Sequence, residues 1–209
     1  MKRLVAITGI LLLGLGTTSF VEPIKKTKVF AIEQGSKITI IGTSNVSTFT
    51  CCCESTFQPQ TIKYNQSESG DIVTFENASL RVASNEIDCG GSLINRDMQK
   101  TLETDNYPFI QVNLIETYFE NLKLQWGGDL PERMTALTEI TITDVSQSNI
   151  IEIEGSYLGE GRYKFMSSAA LSLSDFGLQK PTPILGLVKV DDKILIDIQL
   201  IVRVDDMAS

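Results

Sequence analysis

The sequence contains no histidine among its 209 residues. Without imidazole the chain cannot build a Ser-His-Asp or Cys-His catalytic site, nor offer histidine to a zinc ion. Acidic residues outnumber basic ones: the sequence has 26 Asp and Glu and 18 Lys and Arg, which gives a formal net charge of −8. An acidic chain without a basic patch is a poor partner for nucleic acid or an anionic membrane surface. We therefore expect no nucleic-acid partner.

The apolar run Leu4–Leu15 is too short to span a membrane as a helix, which takes about 20 residues. Lys2 and Arg3 precede the run and small residues follow it, an arrangement typical of a secretory signal peptide. We predict that residues 1–19 are a signal peptide and that the protein is exported to the periplasm or the extracellular space. A retained membrane anchor is the alternative, because no Ala-x-Ala cleavage site follows the run.

The four cysteines are unevenly placed, since Cys51, Cys52 and Cys53 are consecutive and Cys89 stands alone. An oxidising compartment favours a disulfide, and adjacent cysteines bridge poorly. In an extended strand Cys51 and Cys53 share one face, so one of these two is the predicted partner of Cys89. The bond would stabilise the fold by roughly 3 to 4 kcal/mol. A thiolate metal cluster is the rival hypothesis, but the usual Cys-x-x-Cys spacing is absent and we predict no metal.

Most of the chain alternates between apolar and polar residues, as half-buried strands do. The pattern is clearest in residues 194–204, where every even-numbered position is apolar. It recurs in four further segments, residues 110–114, 140–142, 151–153 and 163–173. Long antiparallel strands with one apolar face close into a barrel or stack as a sandwich, and the pattern alone does not separate the two.

Turn residues divide these patterns. Gly159–Gly161 and the pair Asp191-Asp192 are predicted turns that join neighbouring strands as hairpins do. We therefore expect a new strand to begin after Asp192.

One segment has helical rather than strand spacing. Ile94, Met98 and Leu102 fall at i, i+4 and i+8, with Ser92 as the predicted N-cap. We predict one short amphipathic helix, which either flanks the sheet or covers the mouth of a cavity.

No group of residues has the pattern of a catalytic site. Glu152 and Glu154 alternate with isoleucines, which places both carboxylates on the solvent face of a strand. Gly90-Gly91 precedes the predicted helix without a phosphate-binding motif, so it is interpreted as a helix-entry turn. The chain is therefore predicted not to be an enzyme and to hold no cofactor.

Four motifs in the same order resemble those of YceI-like proteins, across roughly residues 36–204. They are Ser44–Cys51, Ile87–Gly91 with Asn95–Met98, Tyr107–Ile110, and Leu173–Leu178 with Pro181–Val190. The chain departs from the better-known branch of that family in its lack of histidine and in its cysteine triplet. It looks closer to the branch in which a strand cysteine accompanies an Asp-Cys-Gly segment.

The resemblance implies an all-β protein: an extended, lipocalin-like antiparallel β-barrel of about eight strands with one short helix, here over residues 28–205. It also implies binding of a long apolar ligand, a polyisoprenoid or similar lipid, inside the barrel. An eight-stranded barrel is wide enough for side chains or one small ligand. Each isoprene unit removed from water contributes about 4 kcal/mol, so two or three suffice for micromolar binding.

The predicted ligand-binding residues are those on inward apolar faces: Ile142, Ile153, Phe165, Ala169, Leu171, Ile196 and Ile198. The alternative is a barrel filled by its own side chains, which would act through its surface in an envelope or stress function. The protein is expected to be a monomer or a homodimer.

Overall fold

The structure is a computed structural model that describes residues 26–54, 57–119, 133–181 and 187–205. The predicted signal peptide, residues 1–19, lies outside the described residues. No helix among the described residues is long and apolar enough to cross a membrane.

The described residues form eleven strands and one α-helix. The strands are β1 Lys26–Ile32, β2 Lys37–Ser44, β3 Thr48–Cys53, β4 Gln60–Gln66, β5 Ile72–Glu76, β6 Ser79–Ala83, β7 Phe109–Tyr118, β8 Arg133–Ile142, β9 Val145–Gly159, β10 Arg162–Ser172 and β11 Val190–Asp205. The helix α1 is Ser92–Thr101, and two short 3-10 helices are Ser84–Glu86 and Leu173–Phe176.

Eight strands close into a ring in the order β1-β4-β5-β7-β8-β9-β10-β11, and β11 pairs back to β1. All of these pairings are antiparallel. The ring confirms the predicted all-β, lipocalin-like barrel with one short helix. Closure of the ring pairs strands that would otherwise be exposed edges.

The barrel is closed at only one end of the molecule. Toward the other end, β11 pairs with β2 instead of β1, and β7 pairs with β6 instead of β5. The registers there produce two four-stranded sheets, β6-β7-β8-β9 and β10-β11-β2-β3. The molecule is therefore a barrel at one end and a sandwich at the other, which combines the two architectures that the alternation left open.

A tight turn joins β1 to β2, so that both strands pair with β11. Gly35 has a φ of 93° there, a conformation that glycine adopts without strain. The Ser36 hydroxyl donates to the Glu33 carbonyl at 2.8 Å and accepts from the Ile201 N–H at 2.9 Å. The backbone is thus hydrogen-bonded where the chain crosses from the barrel to the sandwich.

Each half of the molecule has its own apolar cluster. Inward residues of both sheets, among them Ile38, Ile140 and Leu171, form the core of the sandwich. The closed end of the barrel is aromatic, because Phe119 and Tyr163 are buried there. The predicted inward faces of residues 140–142, 151–153 and 194–204 all contribute to these clusters or to the cavities described below.

Helix α1 confirms the predicted helix, but its start differs from the prediction. Ser92 is the first helical residue, and Gly91 occupies the N-cap with no side-chain cap. Met98 and Leu102 pack against the core of the sandwich. Met98 and Leu102 of the predicted apolar face thus reach the core while Ile94 is only partly buried, and the predicted serine cap is wrong.

The two predicted turns have different outcomes. Gly159–Gly161 does form the hairpin between β9 and β10. Asp191 and Asp192 do not form a turn, because β11 already begins at Val190 and its register shifts before Ile194. The Asp191 carboxylate accepts from the Thr43 hydroxyl at 2.6 Å.

Asp192 holds the 3-10 helix Leu173–Phe176 against β11. The Ser174 hydroxyl and N–H donate to the Asp192 carboxylate at 2.6 and 3.1 Å. The hydroxyl bond is the main reason that the pKa of Asp192 lies below its usual value. The two acidic residues thus act as hydrogen-bond acceptors within a strand.

The disulfide joins Cys51 to Cys89, 38 residues apart. Cys52 forms an isolated antiparallel bridge with Asp88, and this register puts Cys51, not Cys53, opposite Cys89. Cys51 and Cys53 are both buried while Cys52 is partly exposed, which confirms the shared face. Cys53 is not part of a disulfide, so of the two predicted partners only Cys51 is used.

The motif that follows Cys89 secures the disulfide to α1. The Asn95 side-chain amide donates to Asp88 at 2.8 Å and its oxygen accepts from the Cys89 N–H at 2.7 Å. The Gly90 N–H also donates to Asp88 at 2.9 Å. These bonds, that of Asn95 foremost, lower the pKa of the Asp88 carboxyl. The segment is a structural anchor that closes one side of the sandwich.

Replacing Cys51 and Cys89 together with alanine is expected to lower the free energy of unfolding by about 3 kcal/mol, because the unfolded chain regains the entropy of a long loop. Urea denaturation followed by circular dichroism measures the difference. The control is Cys52→Ala, which removes a partly exposed thiol outside the disulfide and should leave the midpoint unchanged. Equal midpoints for all three proteins would show that the disulfide adds nothing.

Candidate ligand-binding cavities

A first cavity of about 220 Å³ lies inside the barrel half. Strands on opposite sides of the ring supply its walls, with Phe30 and Leu200 on one side and Leu114 and Ile153 on the other. None of the described residues that line it carries a charge. Its polar side chains are Gln58, Gln60, Ser79, Thr117, Thr138 and Ser167. The cavity therefore offers an apolar environment with a few neutral polar atoms.

A second cavity of about 100 Å³ lies between the two sheets of the sandwich half. Ile38, Ile142 and Leu171 are among its wall residues. Met98 and Leu102, at the end of α1, line it as well, so the helix covers one end of this cavity. Of the two predicted roles for the helix, covering the cavity describes its position.

The two cavities meet at a layer of five residues that line both. We call this layer the waist, and it consists of Leu80, Val112, Thr138, Ile151 and Ile198. Its members come from β6, β7, β8, β9 and β11, so they approach from both sides of the bore. The interior therefore contains two cavities that share part of their wall.

The structure places every predicted ligand-binding residue on a cavity wall, but not all on the same one. Ile153 and Phe165 line the first cavity. Ile198 belongs to the waist, and the others line the second cavity: Ile142, Ala169, Leu171 and Ile196. A ligand that contacts all seven residues must therefore pass the waist.

The alternation in the sequence does not predict the wall formed by β1, β4, β5 and β6. Phe30, Ile62 and Phe75 face the first cavity from these strands. The four strands are only five to seven residues long, too short for alternation to stand out. Their inward faces follow from pairing with longer strands, which the pattern within each segment does not reveal.

Thr117 places a buried hydroxyl on the wall of the first cavity. Its side chain is 3% exposed, and its hydroxyl has no hydrogen-bond partner among the described residues. A register shift between Leu114 and Glu116 turns Thr117 inward on β7. A buried hydroxyl without a partner costs about 1 to 3 kcal/mol.

The charged side chains of the described residues lie away from both cavities. The carboxyls with lowered pKa, Asp71, Asp88 and Asp192, accept hydrogen bonds from nearby serine, asparagine or backbone donors and line neither cavity. Among the described residues no three His, Cys, Asp or Glu side chains are grouped closely enough to hold a metal ion. Both cavities are thus lined without a charged side chain among the described residues.

Thr117→Val is expected to raise the free energy of unfolding by about 1 kcal/mol, because it removes an unpaired buried hydroxyl while keeping the shape of the side chain. The matched control is Thr138→Val at the waist, since the Thr138 hydroxyl donates to the Asn149 carbonyl at 3.2 Å. That variant should lose about 1 kcal/mol. Urea denaturation of the ligand-free protein measures both, and destabilisation by Thr117→Val would contradict the assignment.

Comparison with known proteins relates the chain to solved structures only. No family model and no curated protein sequence matches it. A polyisoprenoid-binding domain from Saccharophagus degradans, implicated in plant cell wall breakdown, is 13% identical and matches with a TM-score of 0.60, over 83% of this chain and 97% of that one. BcnA of Burkholderia cenocepacia is 12% identical, with a TM-score of 0.58 over 79% and 95%.

A YceI protein of Campylobacter jejuni is also similar, at 12% identity and a TM-score of 0.48 over 96% of this chain and 97% of that one. Identities this low relate folds rather than functions. The disulfide that we describe agrees with the cysteine-containing branch that the motifs resemble. The chain therefore has the lipocalin-like fold of BcnA and of the polyisoprenoid-binding domain.

Proposed function

We propose that the protein is an exported, non-catalytic binding protein that holds an apolar, isoprenoid- or lipid-like ligand inside its barrel. The observation that carries this proposal is the first cavity, whose described lining residues are all uncharged. Burial of apolar surface is the dominant favourable term for such a ligand and needs no charged group. The fold shared with a polyisoprenoid-binding domain supports the choice of ligand class.

The volume of the first cavity sets the length of chain that fits without rearrangement. An apolar cavity of about 150 Å³ in another protein binds benzene, which has six carbons. By that ratio the first cavity, at about 220 Å³, accommodates roughly nine carbons, close to two isoprene units. A longer chain has to displace the side chains of the waist and enter the second cavity.

The predicted binding residues then divide by the part of the ligand they contact. Ile153, Phe165 and Ile198 contact the first two isoprene units in the first cavity. Ile142, Ala169, Leu171 and Ile196 contact the continuation of a longer chain in the second cavity. Ala169 matters most among these, because its small side chain leaves room on the wall.

Export is part of the proposal. Disulfides persist in oxidising compartments such as the periplasm and the extracellular space. The Cys51–Cys89 bond therefore supports export of the chain. The predicted signal peptide, residues 1–19, supplies the route.

A surface-acting protein without a ligand is the second candidate. The waist favours it, since both sheets supply residues there and the cavities on either side of it are small. In that case the cavities are packing defects, and no apolar molecule binds with useful affinity. The experiment below separates the two candidates.

Ala169→Trp is expected to block the second cavity and to weaken binding of geranylgeraniol, a 20-carbon prenol, at least about tenfold, because roughly four carbons, close to one isoprene unit, lose their burial. Binding of geraniol, a ten-carbon prenol, should stay unchanged because the first cavity is intact. Displacement of a fluorescent apolar dye gives both affinities.

The matched control is Ala170→Trp, one residue along β10, whose side chain is exposed. It should bind both prenols as the wild type does. Circular dichroism and the unfolding midpoint show whether each variant is folded, and Ala169→Leu is a milder second variant. Equal geranylgeraniol affinity in Ala169→Trp, Ala170→Trp and wild type would overturn the assignment of the second cavity.

A further inference from the structure

The ladder between β9 and β10 stops halfway along the two strands. The last pair is Ser167 with Ile153. Beyond it, β9 continues back to Val145 with β8 as its ladder partner, and β10 continues to Ser172 with β11 as its partner. The two strands are therefore paired from the hairpin to Ser167. Beyond Ser167 the wall of the molecule is split, as far as the 3-10 helix Leu173–Phe176.

A depression of about 530 Å³ lies on the outer surface at this split. We call it the lateral vestibule, and its lining residues include Lys37, Arg133, Glu152, Glu154, Ser168 and Asp197. Three residues line both the vestibule and the first cavity, namely Met166, Ser167 and Ile198. The partition between the outer surface and the apolar interior is thus formed by these few side chains.

The partition is weak for a physical reason. Ser167 is small, and its hydroxyl donates to the Glu152 carbonyl at 2.8 Å, just where the backbone ladder ends. Met166 has a long flexible side chain and is 39% exposed. Neither side chain takes part in a ladder hydrogen bond, so both can rotate while the sheet stays intact.

The charges of the vestibule determine which polar end groups of a ligand can lie there. Three carboxylates line it, against one lysine and one arginine. Arg133 lies 3.7 Å from Glu154, and Asp197 accepts from the Ser168 hydroxyl at 2.7 Å. The carboxylate excess repels an anion and is compatible with a hydroxyl or an ammonium group.

We infer that the lateral vestibule is the entrance to the first cavity and the subsite for the polar end of the ligand, and that this end is neutral or cationic rather than a phosphate. The inference rests on the proposed function, because it requires an apolar chain in the first cavity. Burial of a charged end among the uncharged walls of that cavity would be costly. The vestibule keeps that end in water while the chain is buried.

The test uses three ten-carbon probes that differ only in the polar end: geraniol, geranylamine and geranyl phosphate. The wild type is expected to bind geraniol and geranylamine at least about tenfold more tightly than geranyl phosphate. Glu152→Lys should strengthen binding of geranyl phosphate about tenfold and leave geraniol unchanged. Calorimetric titration at pH 7 and about 0.1 M salt gives the affinities.

The matched control is Asp144→Lys, the same change of charge at an exposed residue of the turn between β8 and β9. It lies eight residues along β9 from Glu152, beyond a Debye length of about 10 Å at 0.1 M salt, and should change no affinity. If the wild type and both variants bind geraniol and bind geranyl phosphate with the same affinity, the assignment of the vestibule is wrong. The proposed function would stand in that case. Absence of binding by any probe to the wild type would overturn both.

Discussion

The structure depends on one constraint: the long strands present largely apolar faces to the inside, and those faces have to be buried. In β11 the inward residues run from Ile194 to Val204 without a polar interruption. Closing the strands into a ring buries these faces at one end, and stacking two sheets buries them at the other. The uncharged walls of both cavities follow from the same pattern.

Where the barrel changes into the sandwich, strand pairing is interrupted on two sides of the molecule. Different contacts bridge these two sides. On one side the Cys51–Cys89 disulfide and the Asp88–Asn95 bonds connect β3 to the segment before α1. On the other side β9 and β10 separate after Ser167. One side is covalently closed and the other has only side chains across it, which is why we place the entrance there.

Much of the fold could be predicted because local patterns carry it. The alternation of residues 194–204 predicted the inward face of β11, and the spacing of Ile94, Met98 and Leu102 predicted α1. Asp191 and Asp192 show where local patterns fail to predict the structure, because two acidic residues are compatible with a turn and with a strand. Here hydrogen bonds from Thr43 of β2 and from Ser174 of the 3-10 helix favour the strand. The choice of Cys51 over Cys53 likewise needed the Cys52–Asp88 register.

The site was less predictable than the fold. Each predicted residue lies on a cavity wall, because inward apolar positions are legible in the sequence. Their division by the waist, the unpaired Thr117 hydroxyl and the split after Ser167 depend on where strands far apart in the chain pair and where a ladder ends. Such features arise from tertiary registers, which a single segment does not encode.

The most direct measurement of the central claim is native mass spectrometry of the protein after incubation with geranylgeraniol. Our account predicts a folded species heavier than the polypeptide by the mass of one prenol molecule, released on mild activation. Detection of the bare polypeptide alone, at prenol concentrations well above micromolar, would contradict an interior that receives an apolar chain.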